Sequence, residues 1–99
     1  MDAAKFPLQP QQVADLYADH HSWLRGWLRR RLGDSFDAAD LTHDTFLRVL
    51  ISGRAPSPEQ SRAHLTQIAK GLAIDLHRRR LLEAAYLDAL MHLPEGRAP

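Results

Sequence analysis

The sequence predicts an all-α fold, a compact bundle of three main helices with room for a short fourth turn. Apolar residues recur at helical spacing in three separate stretches. Capping and turn-forming residues fall between those stretches. No segment shows the two-residue alternation and flanking turns of strand pairs. Ninety-nine residues allow one small domain, which hides only about two-thirds of its unfolded surface. With 44% hydrophobic and 25% charged residues the chain matches soluble globular proteins, which excludes a disordered or fibrous class. It has no cysteine, so disulfides, thiolate metal sites and cysteine nucleophiles are excluded.

Residues 1–10 read as an extended lead-in, because Pro7 and Pro10 lack an N–H and disfavour helix at the residue before them. A first helix is expected over Gln11 to Leu32, with Val13, Leu16, Tyr17, His20, Leu24, Trp27 and Leu28 on one face and Gly33 as its stop. Asp37, followed three residues later by Asp40, resembles a capping box. It predicts a second helix that starts there, carries Phe46, Leu47 and Leu50 on one side and ends near Ser52-Gly53. The turn-rich stretch Ser52 to Pro58 is the one internal loop of any length. Ser57-Pro58-Glu59-Gln60 then reads as N-cap, proline at the first helical position, acid and capping glutamine.

The helix so opened carries Leu65, Ile68, Ala69, Leu72, Ala73 and Leu76 as one stripe. Leu82, Ala85, Tyr86, Ala89, Leu90 and Leu93 form a second stripe in shifted phase. One long helix to about His92 is expected, changing packing partners near Arg78-Arg79-Arg80 and ended by Pro94 and Gly96. The expected domain runs over 11–93, around a core of Leu16, Trp27, Leu28, Phe46, Leu47, Leu50, Leu65, Ile68, Leu72 and Leu76.

The formal charge of +1 hides an asymmetry. Four aspartates and no basic residue lie between Asp34 and Asp44, whereas Arg62, Lys70, Arg78, Arg79 and Arg80 stand against the single acid Asp75. Such segregation suggests two differently charged partners, or alternatively an intramolecular match between the segments. On the third helix Gln67, Lys70, Ile74, His77 and Arg78 fall within roughly 100° of one another, opposite the Leu65-Leu72-Leu76 stripe. Lys and Arg suit phosphates, and His and Gln suit unpaired bases; the alternative is an ordinary solvated face. Gly71 fits either a close backbone approach by a ligand or close helix packing.

Asp40, His43 and Asp44 at i, i+3 and i+4 could converge on an ion, but the set is weak and oxygen-rich, and acids near a helix start follow from the dipole alone. No metal or cofactor is expected. His20 is expected as a hydrogen-bonded core histidine and His21 as a solvated one. There is no Gly-x-Ser-x-Gly elbow and no phosphate-cradling glycine loop, so an enzyme is not expected. Apolar runs fall far short of the roughly 20 residues that cross a bilayer, and Met1-Asp2-Ala3-Ala4-Lys5 leads into no signal-type stretch. A cytoplasmic location is expected.

Two stretches are more specific. Asp37-Ala38-Ala39-Asp40-Leu41-Thr42-His43-Asp44-Thr45-Phe46-Leu47-Arg48-Val49 resembles the Asp-Ala-x-Asp-Leu-x-Gln/His-Glu/Asp-Thr-Phe-Leu-Arg-Val signature in the second conserved region of extracytoplasmic-function sigma factors. Ala63-His64-Leu65-Thr66-Gln67-Ile68-Ala69-Lys70-Gly71-Leu72-Ala73-Ile74-Asp75-Leu76-His77-Arg78-Arg79-Arg80 resembles that family's promoter-melting, minus-ten-reading helix. The resemblance covers about Gln11 to Leu90. With Gly71 and the continuation Leu81-Leu82-Glu83-Ala84-Ala85-Tyr86-Leu87 it is most similar to the iron-starvation, ferric-siderophore-regulated group.

The resemblance implies that Asp40, His43, Asp44, Leu47 and Arg48 bind the beta-prime clamp helices of RNA polymerase core. It implies that Arg54 and Ser57 of the loop, with Arg62, His64, Gln67, Lys70, Gly71, Ile74, His77 and Arg78 behind it, meet the non-template strand of promoter DNA. The loop from Gly53 to Ser61 and the helix after it would capture a flipped base. Many relatives carry Trp where this chain has His64 and Asn where it has Gly71. The family also uses a second DNA-binding domain for the minus-thirty-five element, so 94–99 is expected to begin a linker within a longer protein. A membrane-bound anti-sigma regulator is the implied further partner. The rival expectation is a helical protein-interaction module, bound to such a regulator, that never touches DNA.

Overall fold

The structure is a computed structural model and describes residues 8–94. The expectations for 1–7 and 95–99, including the stop at Gly96 and most of the linker, lie outside the described residues. Three α-helices and one 3₁₀ turn follow in order: α1 over Pro10–Leu32, α2 over Ser35–Ser52, the 3₁₀ turn over Pro58–Gln60 and α3 over Ser61–Met91.

α1 begins one residue earlier than expected, with Pro10 inside it rather than in the lead-in. Proline at the first helical position lacks only an N–H that would have no intrahelical partner there. Gln9 caps the end, its N–H donating to Gln12 Oε1 at 2.9 Å, and Leu8 is buried in the core. Gly33, at φ 72°, closes α1 with its N–H on the Arg29 carbonyl. A non-glycine side chain would be strained at that φ.

The second helix does not start at Asp37. Asp34 is its N-cap, and the Asp34 carboxylate accepts the Asp37 N–H at 2.9 Å. Asp37 therefore lies inside the first turn and its side chain is free for another partner. The expected end is observed: Gly53 takes φ 70° directly after Ser52. The connection of Gly33 and Asp34 folds α2 back on α1, so that Tyr17 meets Phe46 edge-on at 5.0 Å between ring centroids.

The inward face of α2 differs from the expected one. Ala38, Leu41, Thr42, Thr45, Phe46 and Val49 are buried, whereas Leu47 and Leu50 are 52% and 38% exposed. The two threonines can be buried because Thr42 Oγ1 donates to the Ala38 carbonyl at 2.6 Å and Thr45 Oγ1 to the Leu41 carbonyl at 2.7 Å. Each hydroxyl is satisfied within its own helix, leaving its methyl to pack.

Leu24 and Leu28 of α1, Val49 of α2 and Leu65 of α3 are the large apolar side chains with no exposure at all. Each contributes about 1.5–3 kcal/mol by leaving water. Leu16, Trp27, Ile68, Leu72 and Leu76 pack around this centre half-buried.

Ser57 and Gln60 do not make the expected side-chain cap. Pro58–Gln60 forms the 3₁₀ turn, closed by the Gln60 N–H on the Ser57 carbonyl at 2.9 Å. The same carbonyl accepts the buried Ser61 hydroxyl at 3.1 Å, and α3 proper starts at Ser61. α3 returns antiparallel to α2. Near its middle, Arg80 reaches back to Asp37 with two hydrogen bonds, Nη1 to Oδ2 at 2.6 Å and Nη2 to Oδ1 at 2.9 Å.

Beyond Arg80 the helix runs on to Met91, and Leu82, Tyr86, Leu90 and Leu93 are exposed. The second stripe thus has no partner among the described residues. This projection makes the molecule 67 Å long and its radius of gyration 18.6 Å, against about 13 Å for a compact domain of this size. No helix among the described residues is long and apolar enough to cross a membrane.

Candidate functional site

The inward phase of α2 fixes what its outward side presents. With Leu41, Thr45 and Val49 turned inward, Asp40, His43 and Leu47 face solvent and Asp44 is half-buried at their flank. Phe36 and Ile51 share this side and are 84% and 73% exposed. It is an apolar ridge edged with carboxylates, suited to a protein surface carrying cations beside an apolar groove. His43 is held in place, its Nε2 3.3 Å from the Tyr17 hydroxyl. Tyr17 in turn stacks on His21 with ring centroids 4.4 Å apart, and His21 Nδ1 lies 2.7 Å from the Tyr17 carbonyl.

His21 is therefore packed, not solvated as expected. His20, expected to be hydrogen-bonded, instead buries an Nδ1 that has no partner among the described residues. Among those residues no cluster of His, Asp and Glu is placed to hold a metal ion.

Arg48, one helical turn after Asp44, stands at the edge of the acidic side. It lines a groove of about 450 Å³ between α2 and α3 together with Ser52, Arg54, His64, Gln67, Gly71 and Asp75, over a floor of Ile68 and Leu72. Four of the residues singled out for DNA, Arg54, His64, Gln67 and Gly71, are thus brought together here. A Cβ built at Gly71 would meet nothing within 4 Å, which removes helix packing as the reason for glycine.

Lys70, Ile74 and His77 lie on the other side of the exposed α3 face, in a groove of about 390 Å³ shared with Arg31, Leu32 and Ala73. Arg78 is exposed on the same outward arc. Two expected residues stand apart. Arg62 sits over the Trp23 ring of α1, its guanidinium carbon 4.6 Å from the centroid, and Ser57 has its carbonyl engaged in the turn before α3.

The loop is not free-standing. Ala55, Pro56 and Pro58 line a cavity of about 230 Å³ against Gln12, Leu16 and His20 of α1. Of the loop residues, Arg54 is the one placed in the α2–α3 groove.

Three residues outside the expected set line these surfaces: Phe36 and Ile51 of α2 on the acidic side, and Arg31 of α1 on the basic side. A helical wheel phased on the buried threonines would have found Phe36 and Ile51. The arginines at the end of α1, Arg29, Arg30 and Arg31, were a visible charge run.

The Asp37–Arg80 pair holds the two sides in register. Its hydrogen bonds from the guanidinium keep the Asp37 carboxyl below the ordinary aspartate range, and the charge of Arg80 acts in the same direction. Arg80 is correspondingly raised, first by those hydrogen bonds and then by the Asp37 charge.

Comparison with known proteins agrees with this architecture. A family described as Sigma-70 region 2 matches residues 16–81, the span from the first half of α1 to the point where α3 leaves the bundle. The ferric citrate uptake sigma factor FecI of Escherichia coli (strain K12) is 49% identical over 84 residues, which are 85% of this chain and 49% of that protein. The chain thus spans about half the length of this relative. No solved structure matches the chain significantly. The helices that the family match covers are the ones that set the acidic ridge and the basic grooves on separate faces, and the chain belongs to the sigma-70 region 2 family.

Proposed function

We propose that the chain docks on core RNA polymerase through the outward side of α2 and recognises and melts the promoter minus-ten element through α3 and Arg54. One observation carries this reading: α2 and α3 present chemically opposite surfaces while burying their remaining faces in one core. Asp40, His43, Asp44 and Leu47, with Phe36 and Ile51, would meet the beta-prime clamp helices. The groove of Arg48, Arg54, His64, Gln67 and Gly71 would receive an unpaired base of the non-template strand.

No covalent step by the protein is needed. Holding the open strand offsets an unstacking cost of a few kcal/mol and shifts the duplex toward opening. The protein would act in the cytoplasm, where polymerase works, as a binding subunit and not as an enzyme. Its likeness to a ferric citrate uptake sigma factor supports a role at promoters for ferric-siderophore uptake, under a membrane-bound anti-sigma regulator.

The direct experiment is co-purification with core RNA polymerase followed by crosslinking to promoter DNA. Crosslinks from α3 to the non-template strand, dependent on polymerase, are expected. Polymerase-independent capture by an anti-sigma partner with no DNA crosslink would favour the interaction module instead.

A further inference from the structure

We infer that Arg31, at the end of α1, is a further DNA contact, and that with Lys70 and His77 it forms a track for the phosphodiester backbone of a single strand. The inference rests on the promoter-binding role proposed for α3 and extends it to a helix to which that role assigned nothing.

Three observations converge on Arg31. Its guanidinium carbon lies 4.3 Å from the centroid of the Trp27 ring. Trp27 is itself packed half-buried against the core, so the stack fixes the charged head. Stacking uses the face of the guanidinium and leaves the N–H donors around its edge, so stacking and bidentate phosphate binding are compatible. A cation held in advance also loses less rotamer entropy on binding.

Arg31 lines the groove that contains Lys70, Ile74 and His77, and no residue lining that groove is acidic. The α2–α3 groove, by contrast, mixes Arg48 and Arg54 with Asp75. One groove thus has only basic residues among its polar lining and the other mixes both signs, the division expected if phosphates run on one side and bases turn to the other.

Compensation of the α1 dipole does not explain Arg31 by itself. Arg29 and Arg30 occupy the same last turn and serve that purpose equally, yet only Arg31 of the three lines this groove.

The test assembles the chain with core RNA polymerase on a fluorescent fork-junction DNA and follows affinity against salt. Arg31→Ala should lower affinity evenly across minus-ten sequences and flatten the salt slope by about 0.7, the single-strand value for one lost phosphate contact. Arg31→Lys should restore most of the slope, and Arg30→Ala should leave it unchanged. A slope for Arg31→Ala equal to that of Arg30→Ala, while Lys70→Ala flattens it, overturns the inference and leaves the promoter role of α3 standing. If Lys70→Ala and Arg78→Ala also leave the slope untouched, the promoter role fails with it. Loss of polymerase binding by Arg31→Ala without DNA present would assign the groove to an acidic protein surface and overturn the inference.

Discussion

Gly71 is the residue whose presence local structure explains least. A glycine in mid-helix costs up to about 1 kcal/mol relative to alanine, and the space around it is empty. Gly71→Ala is therefore expected to raise the unfolding free energy by about 0.5–1 kcal/mol in urea titrations while weakening binding to open-strand DNA. A fall in stability would mean that the backbone is needed by the fold. Leu24 gives the opposite kind of residue, with no exposure and contacts at the centre of the bundle. Leu24→Ala should cost about 2–5 kcal/mol in the same titration. At this scale the sequence misled where polarity and burial part company. Thr42 and Thr45 sit in the core because their hydroxyls bond backward to Ala38 and Leu41, and that displaces Leu47 and Leu50 to the surface. A count of apolar residues cannot see such internal satisfaction.

Helix ends were legible wherever a special backbone conformation demanded glycine, as at Gly33 and Gly53. The start of α2 was not, because Asp34 and Asp37 have the same spacing as Asp37 and Asp40 and only the first pair abuts the stop at Gly33. The error conceals an ion pair between helices. Asp37 pairs with Arg80, 43 residues away, a separation at which no local pattern operates. Because the Asp37 carboxyl is held below its ordinary value, the folded state binds this proton less readily than the unfolded state. The stabilisation is therefore present in full above the unfolded value and is lost as pH falls through the lowered folded one. Asp37→Asn should unfold at lower urea concentration than the parent at neutral pH. The two midpoints should converge as the pH drops below 3.8, the ordinary aspartate value. A gap that persists in acid would mean that the aspartate acts by shape and not by charge. The projection of α3 beyond Arg80 belongs to the same scale: its second apolar stripe was readable, but the partner it was expected to find is absent among the described residues.

For the whole molecule, the segregation of acids from bases along the chain became separate surfaces except at one point, where Asp37 of the acidic segment and Arg80 of the basic one pair with each other, the intramolecular match the charge pattern also allowed. The place of Arg31 beside Lys70 and His77 was not readable, since it depends on how α1 packs against α3. If the two surfaces serve different partners, one for polymerase and one for the open strand that polymerase presents, the most direct measurement pairs two variants in one assay. Asp44→Lys and the double variant Lys70→Ala, Arg78→Ala are each mixed with core RNA polymerase and a crosslinkable fork-junction DNA, after circular dichroism has verified that both remain helical. The account predicts that Asp44→Lys loses polymerase binding and with it the DNA crosslink, whereas the double variant keeps polymerase binding and loses the crosslink alone. Full polymerase binding by Asp44→Lys, or an undiminished crosslink in the double variant, would contradict it.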